Sequence, residues 1–344
     1  MKTIVQTGAE SVTVQDQDRP TCGDHDVLVR VHTAGLCGSD AHAYRYEEGY
    51  EWIPLPRIMG HEYAGTVVEV GAAVDEFVPG DKVVEEPVHN CGSCFQCKNG
   101  QPNVCQNFHI TGMHGDGAYA EFTTVEPRNL HAVPDTIPLK HASITEPLSI
   151  ATRAVLTQSM TSVESTVLVE GPGPIGVFVA SVADAVGARV VVSGIGQDRQ
   201  YRLPLLEELG IETINIETNS HEQNRNQLTD GRGFDVVFDT TGHPSGIEQA
   251  VDHVRKGGEI IMVGLPNATS EVFFTPMVRG EIALKTSYGS TWTNFEQALQ
   301  LIERDEIDFE TIIDDSYDIA DPDTAFRAFL NSETCKPVFS FADL

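Results

Sequence analysis

Four cysteines, Cys91, Cys94, Cys97 and Cys105, are spaced closely enough to surround one metal ion. They stand in the run CGSCFQCKNGQPNVC, with two, two and seven residues between successive thiols. Four thiolates can hold a tetrahedral zinc ion at about 2.3 Å per Zn–S bond, whereas neighbouring cysteines rarely meet disulfide geometry without strain. We therefore predict a structural zinc ion with no vacant coordination position, and the chemistry must be sought elsewhere.

A second set of potential ligands is dispersed along the chain. Cys37 lies in GLCGSD, His61 and Glu62 lie in IMGHE, and Glu146 lies in TEPLS. Cys, His and Glu are ligand types of zinc sites that leave one position for water or substrate. Taken singly, Cys37 is more typical of a core thiol, and His61 is more typical of a hydrogen-bonded core histidine. Their occurrence together, beside a cysteine cage and a nucleotide-binding motif, favours a catalytic zinc site.

The nucleotide-binding motif is GPGPIG, from Gly171 to Gly176. It follows a predicted buried strand, Thr166–Glu170, and precedes a predicted helix, Val177–Val186, as a dinucleotide-binding turn requires. Glycine at positions 171, 173 and 176 permits a tight turn and lets backbone N–H groups approach a pyrophosphate. A tight structural turn is the alternative. The position at the first turn of an alternating strand–helix region favours dinucleotide binding.

The end of the next predicted strand, Arg189–Ser193, bears on the choice of nicotinamide cofactor. An NAD site usually offers a carboxylate there to the ribose 2′-hydroxyl, but this chain has Ser193 and then Gly194, with Arg199 and Arg202 shortly after. Guanidinium groups bind phosphate well, so we predict NADP in preference to NAD. The alternative is that both arginines lie on a solvated helix face.

Residue patterns divide the chain into two kinds of region. Up to about Pro147, short β-rich segments alternate with turn residues, which predicts a barrel-like all-β region. Beyond it, a helix at Leu148–Ser159 and then alternating strands and helices predict a parallel sheet with helices on both faces. Further predicted elements are the strands Val27–His32, Thr66–Val70, Lys82–Val84, Phe234–Asp239, Glu259–Val263 and Pro337–Phe341 and the helix Phe295–Arg304.

The chain is strongly acidic, with 51 acidic against 22 basic residues and a formal charge of −29. Such a surface repels nucleic acid and anionic membranes. We interpret it as adaptation to very high salt, where the Debye length falls to about 3 Å; a cationic partner is the alternative. The start of the chain shows no secretory signal, and no apolar run approaches a membrane span. Seven cysteines suit a reducing compartment, so we expect a cytoplasmic protein.

The motifs together resemble the zinc-dependent medium-chain dehydrogenases, close to the sorbitol (polyol) and threonine dehydrogenase branch. The resemblance rests on the four-cysteine loop, the GPGPIG turn and the segments Gly35–His42, Gly60–Gly71, Gly80–Val83 and Glu146–Ser149. It implies an α/β protein with a GroES-like β-barrel catalytic domain, residues 1–148 and 287–344, split around a Rossmann doubly wound parallel-sheet domain, residues 149–286. It also implies an active site in the cleft between the domains and a homodimer or homotetramer.

The resemblance assigns roles to individual residues. Cys37, His61 and Glu62 would bind the catalytic zinc, with Glu146 beside it as an alternating ligand or through water. Ser39 and His42 would form a proton relay. The nicotinamide would be lined by Ile175, Val263, Leu265, Ser287 and Tyr288. One departure is Gly194, where the branch commonly carries aspartate; another is the stretch Tyr44–Trp52, which we expect to shape the substrate pocket.

The expected activity is hydride transfer from a secondary alcohol, a polyol or sugar, to NAD(P), with zinc as Lewis acid. Tyr44, Tyr46, Glu47 and Glu48 near the pocket favour a polyhydroxylated substrate. The alternatives are L-threonine 3-dehydrogenase activity, a zinc-free quinone reductase-like protein, and a non-catalytic dinucleotide-binding protein. A nucleic-acid-binding zinc module is disfavoured because Lys98 alone supplies positive charge in the cysteine loop.

Overall fold

The chain forms two compact units in the computed structural model, which describes residues 1–218 and 221–342. The first unit comprises Met1–Ser149, Gly289–Asp305 and the described chain from Ile313; the second comprises Ile150–Tyr288 and Glu306–Ile312. The sequence placed the last of these segments in the first domain, but the structure groups it with the second unit, where its short helix packs on a neighbouring helix. The predicted domain end, residues 343 and 344, lies outside the described residues.

Both units are built around β-strands. In chain order they are β1 (Lys2–Gly8), β2 (Ser11–Asp16), β3 (Val27–Gly35), β4 (Arg57–Ile58), β5 (Glu62–Val70), β6 (Lys82–Glu85), β7 (Val88–His89), β8 (His109–Ile110), β9 (Phe122–Val125), β10 (Leu130–Ala132), β11 (Thr166–Glu170), β12 (Arg189–Gly194), β13 (Glu212–Asn215), β14 (Phe234–Asp239), β15 (Val254–Met262), β16 (Ala283–Thr286), β17 (Ile313–Tyr317) and β18 (Lys336–Ser340).

The helices are short, and among the described residues none combines the length and apolar character needed to cross a bilayer. They are α1 (Gly38–Arg45), α2 (Phe95–Lys98), α3 (Leu139–Ala142), α4 (Thr145–Thr152), α5 (Pro174–Ala185), α6 (Arg202–Glu208), α7 (His221–Thr229), α8 (Pro244–His253), α9 (Phe274–Gly280), α10 (Trp292–Glu303), α11 (Phe309–Ile312) and α12 (Pro322–Leu330). A π-helical segment, Arg153–Gln158, continues α4, and 3₁₀ turns occur at Pro102–Val104, Pro127–Asn129 and Gly196–Gln200.

The first unit is built on β3, whose sequence VLVRVHTAG alternates so that Val27, Val29 and Val31 are fully buried. β3 pairs antiparallel with β5, β9 and β18, and the sheet runs in the order β10-β6-β5-β3-β18-β17. The sheet β2-β1-β4 completes the barrel-like unit. Register places Gly35, at the end of β3, opposite Glu62 and beside Val338. Three strand ends therefore meet at one place.

The second unit holds a parallel sheet in the order β13-β12-β11-β14-β15-β16. Strand order reverses beside β11, which is where the doubly wound fold binds nucleotides, at the carboxyl ends of the strands. The α/β fold class with a barrel-like unit and a Rossmann-type sheet is thus as the sequence predicted. Buried strands β11 and β14 carry near-continuous Val, Leu and Phe, typical of a sheet covered on both faces.

Several predicted boundaries need correction. The helix after the glycine turn begins at Pro174, not Val177, because proline fits the first helical turn. β15 begins at Val254, five residues before the predicted start at Glu259. The predicted helix from Leu148 begins instead with α4 at Thr145.

Candidate active site

Cys37, His61 and Glu62 converge where β3 ends and β5 begins. Cys37 is the residue before α1, and His61 immediately precedes β5. Their potential ligand atoms, one each, all lie within 4.8 Å of one another. Zinc bonds of about 2.0–2.3 Å bring ligands to such separations with small movements, so the three side chains fit one zinc ion.

Buried polar atoms around this cluster lack partners of their own. Among the described residues, Glu62 Oε1, Glu146 Oε2 and Ser39 Oγ are buried without a hydrogen-bond partner. Burial raises the pKa of Glu146 to about 7. Unsatisfied buried carboxylates are costly unless a cation compensates them. The arrangement therefore fits a metal ion at Cys37, His61 and Glu62 with Glu146 beside it.

Asp40 accepts a hydrogen bond from the backbone of Cys37 and lies close to the imidazole of His61. The backbone N–H of Cys37 donates to Asp40 Oδ2 at 3.2 Å, and the hydroxyl of Tyr119 donates to the same oxygen at 2.7 Å. Asp40 Oδ1 lies 3.6 Å from His61 Nδ1. Burial alone would lower the pKa of His61, but Asp40 and the Cys37 sulfur raise it well above its ordinary value. At 3.6 Å the Asp40 carboxylate acts on the His61 imidazole through its charge and not through a direct hydrogen bond.

Lys336, the first residue of β18, reaches the same cluster from the far end of the chain. Its Nζ contacts Glu62 Oε2 and donates to the carbonyl of Leu36 at 3.0 Å, and the residue is fully buried. A Cβ on Gly35 would lie 2.7 Å from Glu62 Oε2 and 3.2 Å from Lys336 Cε. Glycine at position 35 is therefore needed for this ion pair to form.

Ser39 and His42 lie three residues apart on α1, a spacing that places them on one helix face. Ser39 Oγ is buried, whereas the His42 side chain is about half exposed and its Nδ1 lies 2.7 Å from Glu47 Oε2. The pair thus runs from the interior of the site toward solvent, as a proton relay requires.

The stretch after α1 corrects one expectation about the substrate pocket. Tyr44 is buried in the core, where its ring stacks on Phe326 and its hydroxyl bonds to Asp323. It therefore cannot line a pocket. Tyr46 and Trp52 are exposed, and the Trp52 Nε1–H donates to the carbonyl of Gly49 at 2.9 Å.

The four-cysteine loop closes on itself as its spacing predicts. Cys94 Sγ lies 3.4 Å from Cys97 Sγ and 3.8 Å from Cys105 Sγ, close to the edge of about 3.8 Å of a ZnS₄ tetrahedron. The seven cysteines form no disulfide in the described part of the chain. Hydrogen bonds led by the Ser93 hydroxyl lower the pKa of Cys91 to about 5, which favours a thiolate. These residues fit a zinc ion.

The glycine turn in the second unit joins β11 to α5. Gly171 has φ +97°, and a Cβ on Gly176 would lie 1.9 Å from the Gly171 carbonyl oxygen, so neither position accepts a side chain. Gly173 caps α5, and Ile175 is half-buried in its first turn. The amino end of α5 is therefore available to a phosphate.

At the end of β12, a side chain in place of Gly194 would require neighbouring side chains to shift. A Cβ on Gly194 would lie 2.9 Å from Leu203 Cδ2 and 3.1 Å from Asp198 Oδ2. Asp198 accepts the Ile195 N–H at 3.0 Å. Arg199 is exposed and lines a surface cavity of about 440 Å³.

The remaining predicted cofactor residues lie in the same unit. Ser193 is buried and its carbonyl accepts the Gly171 N–H at 3.0 Å, while Arg202 is half-buried in α6. Val263 and Ser287 are buried just beyond β15 and β16, and Leu265 and Tyr288 are exposed. All of these except Arg202 lie at or just beyond the carboxyl ends of parallel strands.

Comparison with known proteins decides the family. Residues 23–135 match the alcohol dehydrogenase GroES-like domain, and residues 174–304 match the zinc-binding dehydrogenase domain. A sorbitol dehydrogenase from Halalkalibacterium halodurans is 33% identical over 348 residues, covering 100% of both chains. The chain belongs to the zinc-dependent medium-chain dehydrogenase family.

Further relatives of this dehydrogenase support the same family assignment. An L-threonine 3-dehydrogenase from Pseudoalteromonas atlantica is 33% identical, covering 87% of this chain and 89% of the relative. An alcohol dehydrogenase from Escherichia coli CFT073, solved with NADH, superposes with a TM-score of 0.90 at 28% identity, covering 99% of each chain. The dehydrogenase is therefore an oxidoreductase of alcohols that uses NAD(P), as the sequence predicted.

Sequence reasoning missed the residues that support the dehydrogenase's site without being ligands. Asp40 lies inside the motif GLCGSDAH, so its proximity to Cys37 was available as a signal. Lys336 and Tyr119 lie in segments with no motif; the pairing of β18 with β3 brings Lys336 to the cluster, and a backbone hydrogen bond to Met59 brings Tyr119 there.

Proposed function

We propose that this dehydrogenase oxidises a secondary alcohol of a polyol or sugar, holds two zinc ions per chain, and prefers NADP. The observation that carries the proposal is the buried cluster of Cys37, His61 and Glu62, with Glu146 and Ser39 unsatisfied beside it. A zinc-free reductase or a non-catalytic nucleotide-binding protein has no need for this combination.

The chain's own residues account for the proton chemistry. Zinc at this cluster would supply Lewis acidity toward a substrate hydroxyl, and a bound nicotinamide would accept hydride. Ser39 offers a buried hydroxyl with a free acceptor position for the substrate proton, and His42 carries that proton toward solvent. Asp40 places a negative charge near the imidazole of His61, and Lys336 competes with a metal for Glu62.

The polyol proposal rests on two supports. The relative matched over the full length is a sorbitol dehydrogenase, and the stretch beyond α1 exposes Tyr46, Trp52 and several carboxylates, groups that suit a polyhydroxylated ligand. The second candidate is threonine oxidation, favoured by the L-threonine 3-dehydrogenase relative and by the same carboxylates, which would accept an ammonium group.

The NADP preference rests on the end of β12. Gly194 leaves the ribose without the customary carboxylate, and Arg199, five residues further along the chain, is exposed. The nearby Asp198 carboxylate is engaged with the Ile195 N–H, which reduces its availability to a ribose hydroxyl. A 2′-phosphate would gain a guanidinium partner at Arg199.

We further propose a homodimer or homotetramer, cytoplasmic and adapted to high salt, with domains at residues 1–148 and 287–344 and at 149–286. β16 stands at one end of its sheet in the described chain, and Phe274 and Val278, on the helix α9 that packs against the adjacent β15, are largely exposed. Unpaired strand edges and apolar patches mark association surfaces. Free thiols suit a reducing compartment.

A substrate panel tests the function. Sorbitol, other polyols, sugars and L-threonine are assayed in molar salt with NAD and with NADP. We expect the highest kcat/KM with a polyol or sugar and NADP. A higher value with threonine supports the second candidate, and reduction of quinones without alcohol oxidation contradicts the proposal.

A further inference from the structure

The loop that follows α1 holds the imidazole of His42 on two sides. His42 Nδ1 lies 2.7 Å from Glu47 Oε2, and the Tyr50 ring stacks on the imidazole with centroids 5.4 Å apart and 22° between the planes. Arg45 Nη1 lies 3.5 Å from the other oxygen of Glu47. A half-exposed histidine would otherwise rotate freely, so these contacts select one ring orientation.

The helix end makes this contact possible. Residues five apart on a continuous helix do not face each other, but α1 ends at Arg45, and the capping residue Tyr46 adopts φ +55°, a left-handed conformation uncommon outside glycine. The Tyr46 N–H donates to the Ala43 carbonyl at 2.9 Å and the Glu47 N–H to the His42 carbonyl at 3.2 Å. The chain therefore folds back and brings the Glu47 carboxylate to His42.

The Glu47 carboxylate determines which ring nitrogen of His42 carries the hydrogen. An ionised carboxylate only accepts hydrogen bonds, so Nδ1 of His42 must carry the hydrogen and Nε2 is the nitrogen with a free lone pair. Ser39, on the same face of α1, has its Oγ buried without a partner in the described chain. One proton then leaves the substrate hydroxyl for Ser39 as Ser39 gives its own toward His42 Nε2. The Glu47 carboxylate stabilises the resulting imidazolium until solvent removes one proton.

We propose that Glu47 is the positioning residue of the proton relay, holding His42 in the tautomer that accepts a proton at Nε2. The inference rests on the proposed function and deepens it. It reassigns Glu47 from the substrate pocket, where the sequence placed it, to the relay. Removing the carboxylate from a surface His–Glu pair without this role would leave kcat unchanged.

The test compares Glu47→Ala with a matched control, Glu126→Ala. Glu126 is an exposed carboxylate that also pairs with a basic side chain, its Oε2 lying 2.6 Å from Arg128 Nε. In molar salt with a low concentration of buffer at pH 7, Glu47→Ala should lower kcat for alcohol oxidation about tenfold, which is part of the roughly 10²–10⁴-fold that proton transfer contributes. KM values for alcohol and cofactor should stay within about twofold, because binding contacts are unchanged. Added HEPES base should restore kcat. The control should behave as wild type.

A second readout does not depend on turnover. Nitrogen-15 NMR of the histidine rings, with His42 assigned from a His42→Gln variant, should show Nδ1–H in the wild type and a shift toward Nε2–H in Glu47→Ala. Unchanged kcat and an unchanged tautomer in Glu47→Ala would overturn the inference while leaving the proposed function intact. A wild-type protein that oxidises no alcohol would overturn the proposed function and the relay with it.

Discussion

Replacing Lys336 by methionine tests the electrostatics of the metal cluster. Lys336 and Glu62 have side chains only 1% and 0% exposed, and the substitution leaves the Glu62 carboxylate buried without its ammonium partner. Removing one partner of a buried ion pair costs about 3–5 kcal/mol. At about 2–4 °C per kcal/mol for a unit of this size, metal-free Lys336→Met should melt roughly 6–20 °C below the metal-free wild type.

Zinc should reduce that loss. An ion held by Cys37, His61 and Glu62 places positive charge beside the same carboxylate and takes over part of the role of Lys336. The matched control is Lys285→Met in the second unit, where Lys285 Nζ lies 2.7 Å from the buried Glu259. Among the described residues, that pair belongs to no metal-ligand cluster. Lys285→Met should therefore lose the same stability with and without zinc.

The assay is thermal melting of chelator-treated and zinc-reloaded protein at one salt concentration. We expect the melting temperature of Lys336→Met to fall further below wild type in the metal-free state than in the zinc-loaded state. The melting temperature of Lys285→Met should fall by the same amount in both states. An unchanged melting temperature for metal-free Lys336→Met, or equal losses in the two states, would refute the placement of zinc beside Glu62.

Three further predictions concern the cofactor, pH and salt. Arg199→Ala should lower kcat/KM with NADP about tenfold or more and leave that with NAD nearly unchanged, because only the 2′-phosphate needs a guanidinium; equal effects would count against the NADP site. Burial lowers the pKa of His253 to about 4, below the unfolded value near 6.5, so its stabilising contribution is present above pH 6.5 and lost toward pH 4. Urea titrations should therefore show wild type losing more stability over that window than His253→Gln, and parallel losses would contradict this. The acidic surface predicts a melting temperature that rises from dilute to molar salt; a salt-independent value would exclude halophilic adaptation.

Most elements of the fold could be predicted from local residue patterns. The alternation in β3 and the apolar runs of β11 and β14 each reflect a period set by burial, so their positions followed from the residues. The glycine turn was recognisable because Gly171 and Gly176 meet steric limits that other residues cannot. Element ends were less predictable, since capping and tertiary packing decide them: Pro174 was available as a helix start yet was assigned to the turn.

The candidate site was predictable only where ligand types fall in motifs. Cys37, His61 and Glu62 were chosen for their chemistry, and the structure brings them together. Lys336 was not found, because its role depends on β18 lying beside β3, a long-range register that no local pattern encodes. Tyr44 was expected at the pocket, but tertiary packing against Phe326 places it in the core.

In the proposed function, Cys37 binds a zinc ion that is needed for turnover and is distinct from the ion of the cysteine loop. Zinc content and alcohol oxidation are measured together for wild type, Cys37→Ser and, as control, Cys22→Ser, whose thiol interacts with backbone carbonyls away from both clusters. We predict two zinc ions per chain in wild type and Cys22→Ser, and one zinc ion with no measurable turnover in Cys37→Ser. A Cys37→Ser protein that keeps two zinc ions or near-normal kcat would contradict the account.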